Sequence, residues 1–128
     1  MSGSRYLLDT HLVYWWMRND AALGPVSRQL IRGGDIAVSV VSLWELVLKN
    51  RKGKLSLPEG PLAHSLEQQG FSVLPMRPIH VESSRDIHLG HDDPFDHLLV
   101  ATARAEGRTF LTRDRIILAA GQAHVQAA

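Results

Sequence analysis

The sequence has no cysteine, which excludes disulfides, thiolate metal sites and cysteine nucleophiles. No apolar run approaches the ~20 residues that a membrane-spanning helix needs. Neither sign of charge dominates, because 14 Lys and Arg residues stand against 13 Asp and Glu residues, so net charge alone indicates neither a nucleic-acid nor a membrane partner. The first residues show no apolar signal-peptide segment, and we expect a cytoplasmic protein without membrane association.

The residues that are present have the composition of an ordinary globular domain. Of the 128 residues, 45% are hydrophobic and 21% are charged. This length is sufficient for one hydrophobic core and too short for two. No internal repeat, linker or low-complexity segment interrupts the chain. We therefore expect residues 1–128 to form a single domain.

Short apolar runs alternate with helical patterns along the chain. The runs that predict strands are Tyr6–Leu8, Ile36–Val38, Phe71–Leu74, Thr109–Leu111 and, at an edge, His124 with Val125. The predicted helices are Leu12–Met17, Ala21–Arg32, Ser42–Arg51, Leu62–Gln69, Ile79–Ile87, Pro94–Glu106 and Asp114–Ala119. Strands of this length separated by helices imply a parallel sheet covered on both faces. The sequence predicts a three-layer α/β/α sandwich with a central parallel sheet of four to five short strands.

Four acidic residues stand where an apolar run ends and a helical pattern begins. They are Asp9, Glu45, Asp96 and Asp114. In a parallel α/β sheet such junctions fall at the carboxyl ends of the strands, where ligands bind. Carboxylates gathered there repel one another unless a cation lies between them. Because ligands that are all oxygen favour Mg²⁺ or Mn²⁺, the pattern indicates a metal site suited to phosphodiester chemistry.

Helix capping is the alternative role for each of these acids. Ser42 and Glu45 have the S-x-x-E spacing of a capping box. We assign Asp93 to the N-cap of the helix that follows it, which places Asp96 in the first turn, and the other two acids could cap their helices likewise. Capping alone does not explain why Asp96 starts on the apolar face of its helix. Taken as a set, the acids favour the metal site.

Four short motifs occur in order along nearly the whole chain. They are Leu7–His11, Ser39–Lys49, Asp93–Ala101 and Leu111–Asp114. Together they resemble the motifs of PIN-domain ribonucleases and, more narrowly, of the VapC toxins of bacterial type II toxin–antitoxin pairs. The resemblance implies a PIN-like fold and a Mg²⁺- or Mn²⁺-dependent endoribonuclease, with Thr112 as a polar neighbour of the site. The metal ligands that it implies are Asp9, Glu45, Asp96 and Asp114.

The resemblance also implies partners. It implies an RNA substrate, a cognate VapB-like antitoxin that blocks the site, and a homodimer or a hetero-oligomer with the antitoxin. Trp15 and Trp16 are adjacent on one predicted helix and cannot both face the same core, so we expect one of them to meet a partner chain. Where many relatives carry Arg, this chain has His97, which puts in question any RNA or partner contact of that Arg.

Cations cluster just beyond the helix that carries Glu45. They are Lys49, Arg51, Lys52 and Lys54. Such cations can offset the dipole at the helix end, or they can bind the phosphates of RNA near the carboxylates. Arg113, beside Asp114, is a candidate for the same RNA contact, as is the hydroxyl of Thr112.

Two other functions remain open from the sequence. Leu7–Thr10 loosely resembles the nucleophile motif of haloacid-dehalogenase phosphatases, with Asp9 as nucleophile, although His11 occupies the place of that motif's second acid. Alternatively, the acids serve stability or a regulatory ion in a non-catalytic binding module. The seven histidines show no zinc-motif spacing.

Overall fold

The computed structural model describes residues 4–128 and contains a parallel sheet of five strands. The strands are β1 (Arg5–Leu8), β2 (Asp35–Ser39), β3 (Ser72–Leu74), β4 (Thr109–Thr112) and β5 (Val125–Ala127). Their order is β3-β2-β1-β4-β5, and every neighbouring pair is parallel. The predicted parallel sheet is confirmed. The first strand lies at its centre, between β2 and β4.

Seven α-helices connect these strands within residues 4–128. They are α1 (Thr10–Met17), α2 (Gly24–Gly33), α3 (Val40–Arg51), α4 (Leu62–Gln68), α5 (Pro78–Ser83), α6 (Pro94–Ala105) and α7 (Arg115–Ala119). Single turns of 3₁₀ helix lie at Ala21–Leu23 and Ser84–Asp86, inside two stretches that the sequence predicts as continuous helix. Over the described residues no helix is long and apolar enough to cross a membrane.

Helices cover both faces of the sheet. Along β1, Tyr6 and Leu8 face one core, which α1, α2, α3 and α4 close, whereas Leu7 faces a second core closed mainly by α6 and α7. This alternation follows from the two-residue period of a strand. Because both faces of the central strand are buried beyond its exposed first residue, Arg5, the remaining residues Tyr6–Leu8 are continuously apolar. The predicted three-layer sandwich is confirmed.

A buried histidine links α5 to the end of α6. His80 is completely buried, and its Nδ1 accepts the backbone N–H of Arg77 at 3.0 Å. The proton therefore resides on Nε2, which donates to Oε2 of Glu106 at 2.7 Å, while Nη1 of Arg77 donates to the same oxygen at 2.8 Å. The bond from His80 and then the bond from Arg77 lower the pKa of Glu106.

Replacing Glu106 by Gln should lower the free energy of unfolding by about 1–2 kcal/mol at neutral pH, since hydrogen bonds to a charged group are individually worth about 1.5–3 kcal/mol and the amide keeps part of them. The pKa of Glu106 is lower in the folded than in the unfolded chain. Its contribution is therefore present above pH about 4.5 and is lost as the pH falls through the lowered value. Urea unfolding at neutral and acidic pH measures this difference, and an effect that does not shrink in acid would contradict the charge-assisted bond.

Candidate metal centre

The carboxyl ends of β1 and β4 form the floor of the site. Asp9 directly follows β1, and its backbone N–H donates to the carbonyl of Leu111 at 3.0 Å, which extends the pairing by one residue. The side chain is buried, with 4% exposed. Its Oδ1 accepts the N–H of Thr10 at 2.7 Å, and its Oδ2 accepts the hydroxyl of Thr112 at 2.6 Å. Both neighbouring elements thus hold this carboxylate in place.

Thr112 connects Asp9 to a second predicted site residue, Asp114. The Thr112 hydroxyl, which donates to Asp9, accepts the backbone N–H of Asp114 at 3.0 Å. Oδ1 of Asp114 caps α7 by accepting the N–H groups of Ile116 and Ile117 at 2.8 and 3.1 Å. Asp114 is therefore a helix cap, and its Oδ2 takes no part in the capping bonds. Capping and ligation use different oxygens of one carboxylate and are compatible.

Glu45 reaches the site from α3, and the predicted capping box is wrong. The N-cap of α3 is Ser39, so Glu45 lies in the second turn and Ser42 is free to accept the hydroxyl of Thr10 at 3.0 Å. Glu45 is 8% exposed, and its Oε2 is 3.2 Å from Nζ of Lys49. Its Oε1 is buried with no hydrogen-bond partner among the described residues. An unpartnered buried oxygen is costly, and ligation by a cation would remove this cost.

Asp96 enters from the first turn of α6. Asp93 is the N-cap of this helix, as predicted, and its Oδ1 accepts the N–H of Phe95 at 2.9 Å. Asp96 is 9% exposed, and its Oδ2 is 3.2 Å from Nε2 of His91. Single ligand atoms of His91, Asp96 and Asp114 lie within 4.8 Å of one another. The carboxylates from β4 and α6 therefore converge.

The electrostatics of the site reflect this convergence. Burial raises the pKa of Asp9, against the hydrogen bond from Thr112, and the charge of Glu45 adds to the increase. Burial raises the pKa of Asp96 to about 8, with further increases from Asp9, Asp93, Glu45 and Asp114. The charges of the other three predicted acids thus all raise the pKa of Asp96. Such a set, with oxygen donors and one unpartnered buried oxygen, fits a hard divalent cation.

The structure brings His91 into the site, which sequence motifs did not identify. Zinc-motif spacing does not single out this residue. The available signal is its place in the loop just before Asp93 and Asp96. Because a loop residue can turn toward or away from the helix that follows, this signal does not determine which way the ring points.

The predicted cations border the site to different degrees. Lys49 contacts Glu45, and together with Lys52 and Lys54 it lines a surface groove that also includes Glu45 and Phe95. Arg51 is exposed at the end of α3. The RNA contact of these four cations stays a prediction. Three of them, the lysines, lie beside the carboxylates.

Arg113 has a structural role that the sequence did not reveal. Its guanidinium donates to the backbone carbonyls of Ala22 and Leu23 and, at 2.8 Å, to the hydroxyl of Ser27. It also lies over the ring of Trp15, with 5.2 Å from the guanidinium carbon to the ring centroid. These contacts hold the 3₁₀ turn and the start of α2 against β4, so the geometry does not support the predicted RNA contact of Arg113.

Comparisons with known proteins agree on one family. Residues 6–122 match the family model of the PIN domain. The chain is 29% identical over 113 residues to Ribonuclease VapC22 of Mycobacterium tuberculosis, covering 85% of this chain and 86% of that protein.

Solved structures share the fold. A toxin–antitoxin complex from Klebsiella pneumoniae contains a chain with a TM-score of 0.66 and 17% identity, covering 94% of this chain and 95% of that one. VapBC2 from Rickettsia felis, bound to a DNA fragment from its promoter, has a TM-score of 0.64 and 16% identity, covering 96% and 98% of the two chains.

The raised pKa of Asp96 predicts a pH-dependent loss of stability in metal-free protein. Because the folded-state pKa of about 8 exceeds the usual 3.8, stability is full below the usual value and falls as the pH rises through about 8. Asp96→Asn, which cannot ionise, should raise the melting temperature in EDTA at alkaline pH by roughly 5 °C. Thermal unfolding from pH about 4 to pH about 9 measures this effect, because the loss begins above the unfolded pKa and is complete above the folded one.

Mn²⁺ should reverse the order of the melting temperatures, so that the wild-type chain is more stable than Asp96→Asn. Ligand binding to the native state should stabilise the wild-type chain and leave Asp96→Asn nearly unchanged. Glu82→Gln, an exposed carboxylate on α5, serves as the control and should behave like wild type. Equal Mn²⁺ stabilisation of Asp96→Asn would contradict a site that includes this carboxylate.

Proposed function

The chain belongs to the PIN domain family, and on this premise we propose that it is a metal-dependent endoribonuclease that acts as the toxin of a toxin–antitoxin pair. The convergence of Asp9, Glu45, Asp96 and Asp114 at the carboxyl end of a parallel sheet carries the proposal, above all the unpartnered buried oxygen of Glu45. Similarity to a protein named as a ribonuclease supports the choice of RNA as substrate.

The four carboxylates would hold Mg²⁺ or Mn²⁺. The donor set is oxygen, which these hard cations prefer. When bound, such an ion activates water as a nucleophile at neutral pH and offsets the charge of the attacked phosphate. The chain contributes placement: Thr112 holds Asp9, the capping bonds hold Asp114, and α6 presents Asp96 from its first turn.

Lysines at the end of α3 would bind the RNA backbone. Nζ of Lys49 lies 3.2 Å from Oε2 of Glu45, and Lys52 and Lys54 line the same groove. A cation beside the carboxylates can receive a phosphate that those carboxylates alone would repel. The Thr112 hydroxyl is engaged with Asp9, so its part in the site is support of a ligand.

Protein partners would cover apolar surface. Trp44 is 54% exposed and packs edge-on against Phe95, with ring centroids 5.2 Å apart, in a pocket completed by Pro94 and Leu98. Trp15 and Trp16 are both half-buried on α1. A contiguous exposed apolar patch marks an interaction site. We assign the accessible surface of these three tryptophans to the proposed homodimer and to a cognate antitoxin, in line with structural neighbours that are toxin–antitoxin complexes.

Purified protein should cleave single-stranded RNA with Mg²⁺ or Mn²⁺ and stop when EDTA is added. Asp9→Asn and Asp96→Asn should each lower the cleavage rate by about 100-fold or more, because each removes a charge that holds the ion. Labelled RNA separated on a denaturing gel measures the rate. The matched control is Glu82→Gln, an exposed carboxylate on α5.

The same assay tests the competing functions. Undiminished cleavage by Asp96→Asn would remove that residue from the mechanism. Hydrolysis of small phosphate esters without RNA cleavage would favour a phosphatase built on Asp9. Binding of Mn²⁺ with neither activity would favour the non-catalytic module.

Neutralising the lysines should weaken RNA binding and its salt dependence together. Lys49→Gln, Lys52→Gln and Lys54→Gln should each reduce the slope of log affinity against log salt by up to about 1, because each removes at most one phosphate contact. Fluorescence anisotropy with Asp96→Asn as the background avoids cleavage during the titration. Arg32→Gln, exposed near the end of α2, is the control, and an unchanged slope in all three lysine variants would contradict this RNA path.

A further inference from the structure

His91 lies beside an assigned ligand but has no role in the mechanism above. Its Nε2 is 3.2 Å from Oδ2 of Asp96, and its side chain is 22% exposed. Its ring packs edge-on against that of His97, with centroids 6.1 Å apart at an angle of 70°. The ring is therefore held on two sides next to the carboxylate that α6 presents to the metal.

A backbone hydrogen bond decides which nitrogen of His91 carries the proton. The N–H of Asp93 donates to Nδ1 of His91 at 3.1 Å. A nitrogen that accepts a hydrogen bond in the ring plane has a lone pair and no proton, so the proton resides on Nε2. Because Nε2 lies 3.2 Å from Oδ2 of Asp96, the two side chains are in polar contact through the nitrogen that carries the proton.

This tautomer distinguishes His91 from a metal ligand. Ligand atoms of His91, Asp96 and Asp114 are close enough to share an ion. A protonated Nε2, however, has no lone pair to give to a cation. Since the protonated Nε2 lies beside Oδ2 of Asp96, it attracts that oxygen electrostatically, favours one orientation of the carboxylate and leaves Oδ1 for the metal.

The backbone of Asp93 holds both histidines. Its N–H donates to Nδ1 of His91, and its carbonyl oxygen accepts a hydrogen bond from Nδ1 of His97 at 2.8 Å. Its side chain caps α6 through the N–H of Phe95. Asp93, which caps the helix that carries Asp96, therefore also holds the ring of His91 beside Asp96. His97, which stands where many relatives carry Arg, thus supports the loop through the hydrogen bond of its ring to the Asp93 carbonyl.

We propose that His91 is a positioning residue of the metal centre, whose protonated Nε2 contacts Oδ2 of Asp96 and thereby orients that ligand. The inference rests on the metal centre of the proposed function. His80 and Glu106 offer an internal comparison, because there too a backbone N–H occupies Nδ1 and Nε2 contacts a carboxylate. That pair lies at the far end of α6, about 15 Å from Asp96 at 1.5 Å per residue.

Nuclear magnetic resonance of metal-free, ¹⁵N-labelled protein tests the tautomer directly. Long-range ¹H–¹⁵N correlation should show the His91 ring with Nε2 protonated and Nδ1 unprotonated. His91→Gln identifies the resonance by its disappearance. A neutral His91 ring protonated on Nδ1 would overturn the proposal.

Calorimetric titration with Mn²⁺ tests the positioning role. His91→Ala should raise the Mn²⁺ dissociation constant about 10–100-fold, as expected for loss of a side chain that orients a ligand. His91→Gln, whose amide N–H can take the place of Nε2–H, should recover most of this loss. The control His80→Gln should lower the melting temperature and leave the dissociation constant unchanged.

Each of the remaining outcomes contradicts either the positioning role of His91 or the metal centre itself. Wild-type affinity in His91→Ala, or no recovery in His91→Gln, overturns the positioning role alone. Failure of the wild-type protein to bind Mn²⁺ overturns the metal centre and this inference with it. A directly coordinated nitrogen in the pulsed electron paramagnetic resonance spectrum of the Mn²⁺-bound protein, absent in His91→Gln, would make His91 a ligand and refute its assignment as a positioning residue.

Discussion

Repulsion among buried carboxylates is the constraint on which the rest of the site depends. Three of the four acids are less than a tenth exposed. Burial raises the pKa of Asp9 and of Asp96, and the charge of Glu45 adds to both increases. Each of the three contacts at least one polar or cationic neighbour: Thr112 for Asp9, Lys49 for Glu45 and His91 for Asp96. These neighbours orient the carboxylates without neutralising the set. The remaining negative charge would favour a divalent cation, as the proposed function requires.

The sequence predicted features whose signal is local or periodic. Short apolar runs between helices indicated the parallel sheet, and Asp93 before proline indicated a helix start. The capping box at Ser42 was wrong because Ser39 fits an N-cap equally well. Pairing of Ser39 with Leu74 makes it the last residue of β2, so the helix begins immediately after it. Pairing with β3, which is distant in the sequence, thus determines which of the two serines caps the helix.

The remaining features of the site depend on contacts that no local pattern records. Arg113 looked like an RNA-binding cation because it stands beside Asp114, yet it binds carbonyls about 90 residues earlier. His91 has no motif spacing, and its role follows from the loop geometry that brings it to Asp96. Sequence spacing identified which acids could converge. It did not identify which neighbours orient them.

The bond between Thr112 and Asp9 spans 103 positions of the chain and joins the end of the central strand β1 to its later neighbour β4. A nascent chain that has emerged only as far as α6 carries Asp9, Glu45 and Asp96, but it lacks the strand that pairs with β1 on that side. Because chains emerge from the ribosome N-terminus first, the carboxylates cannot acquire their final arrangement before β4 has been made. The position of β4 in the sheet therefore fixes an order of assembly, in which the site is completed only after this strand pairs with β1.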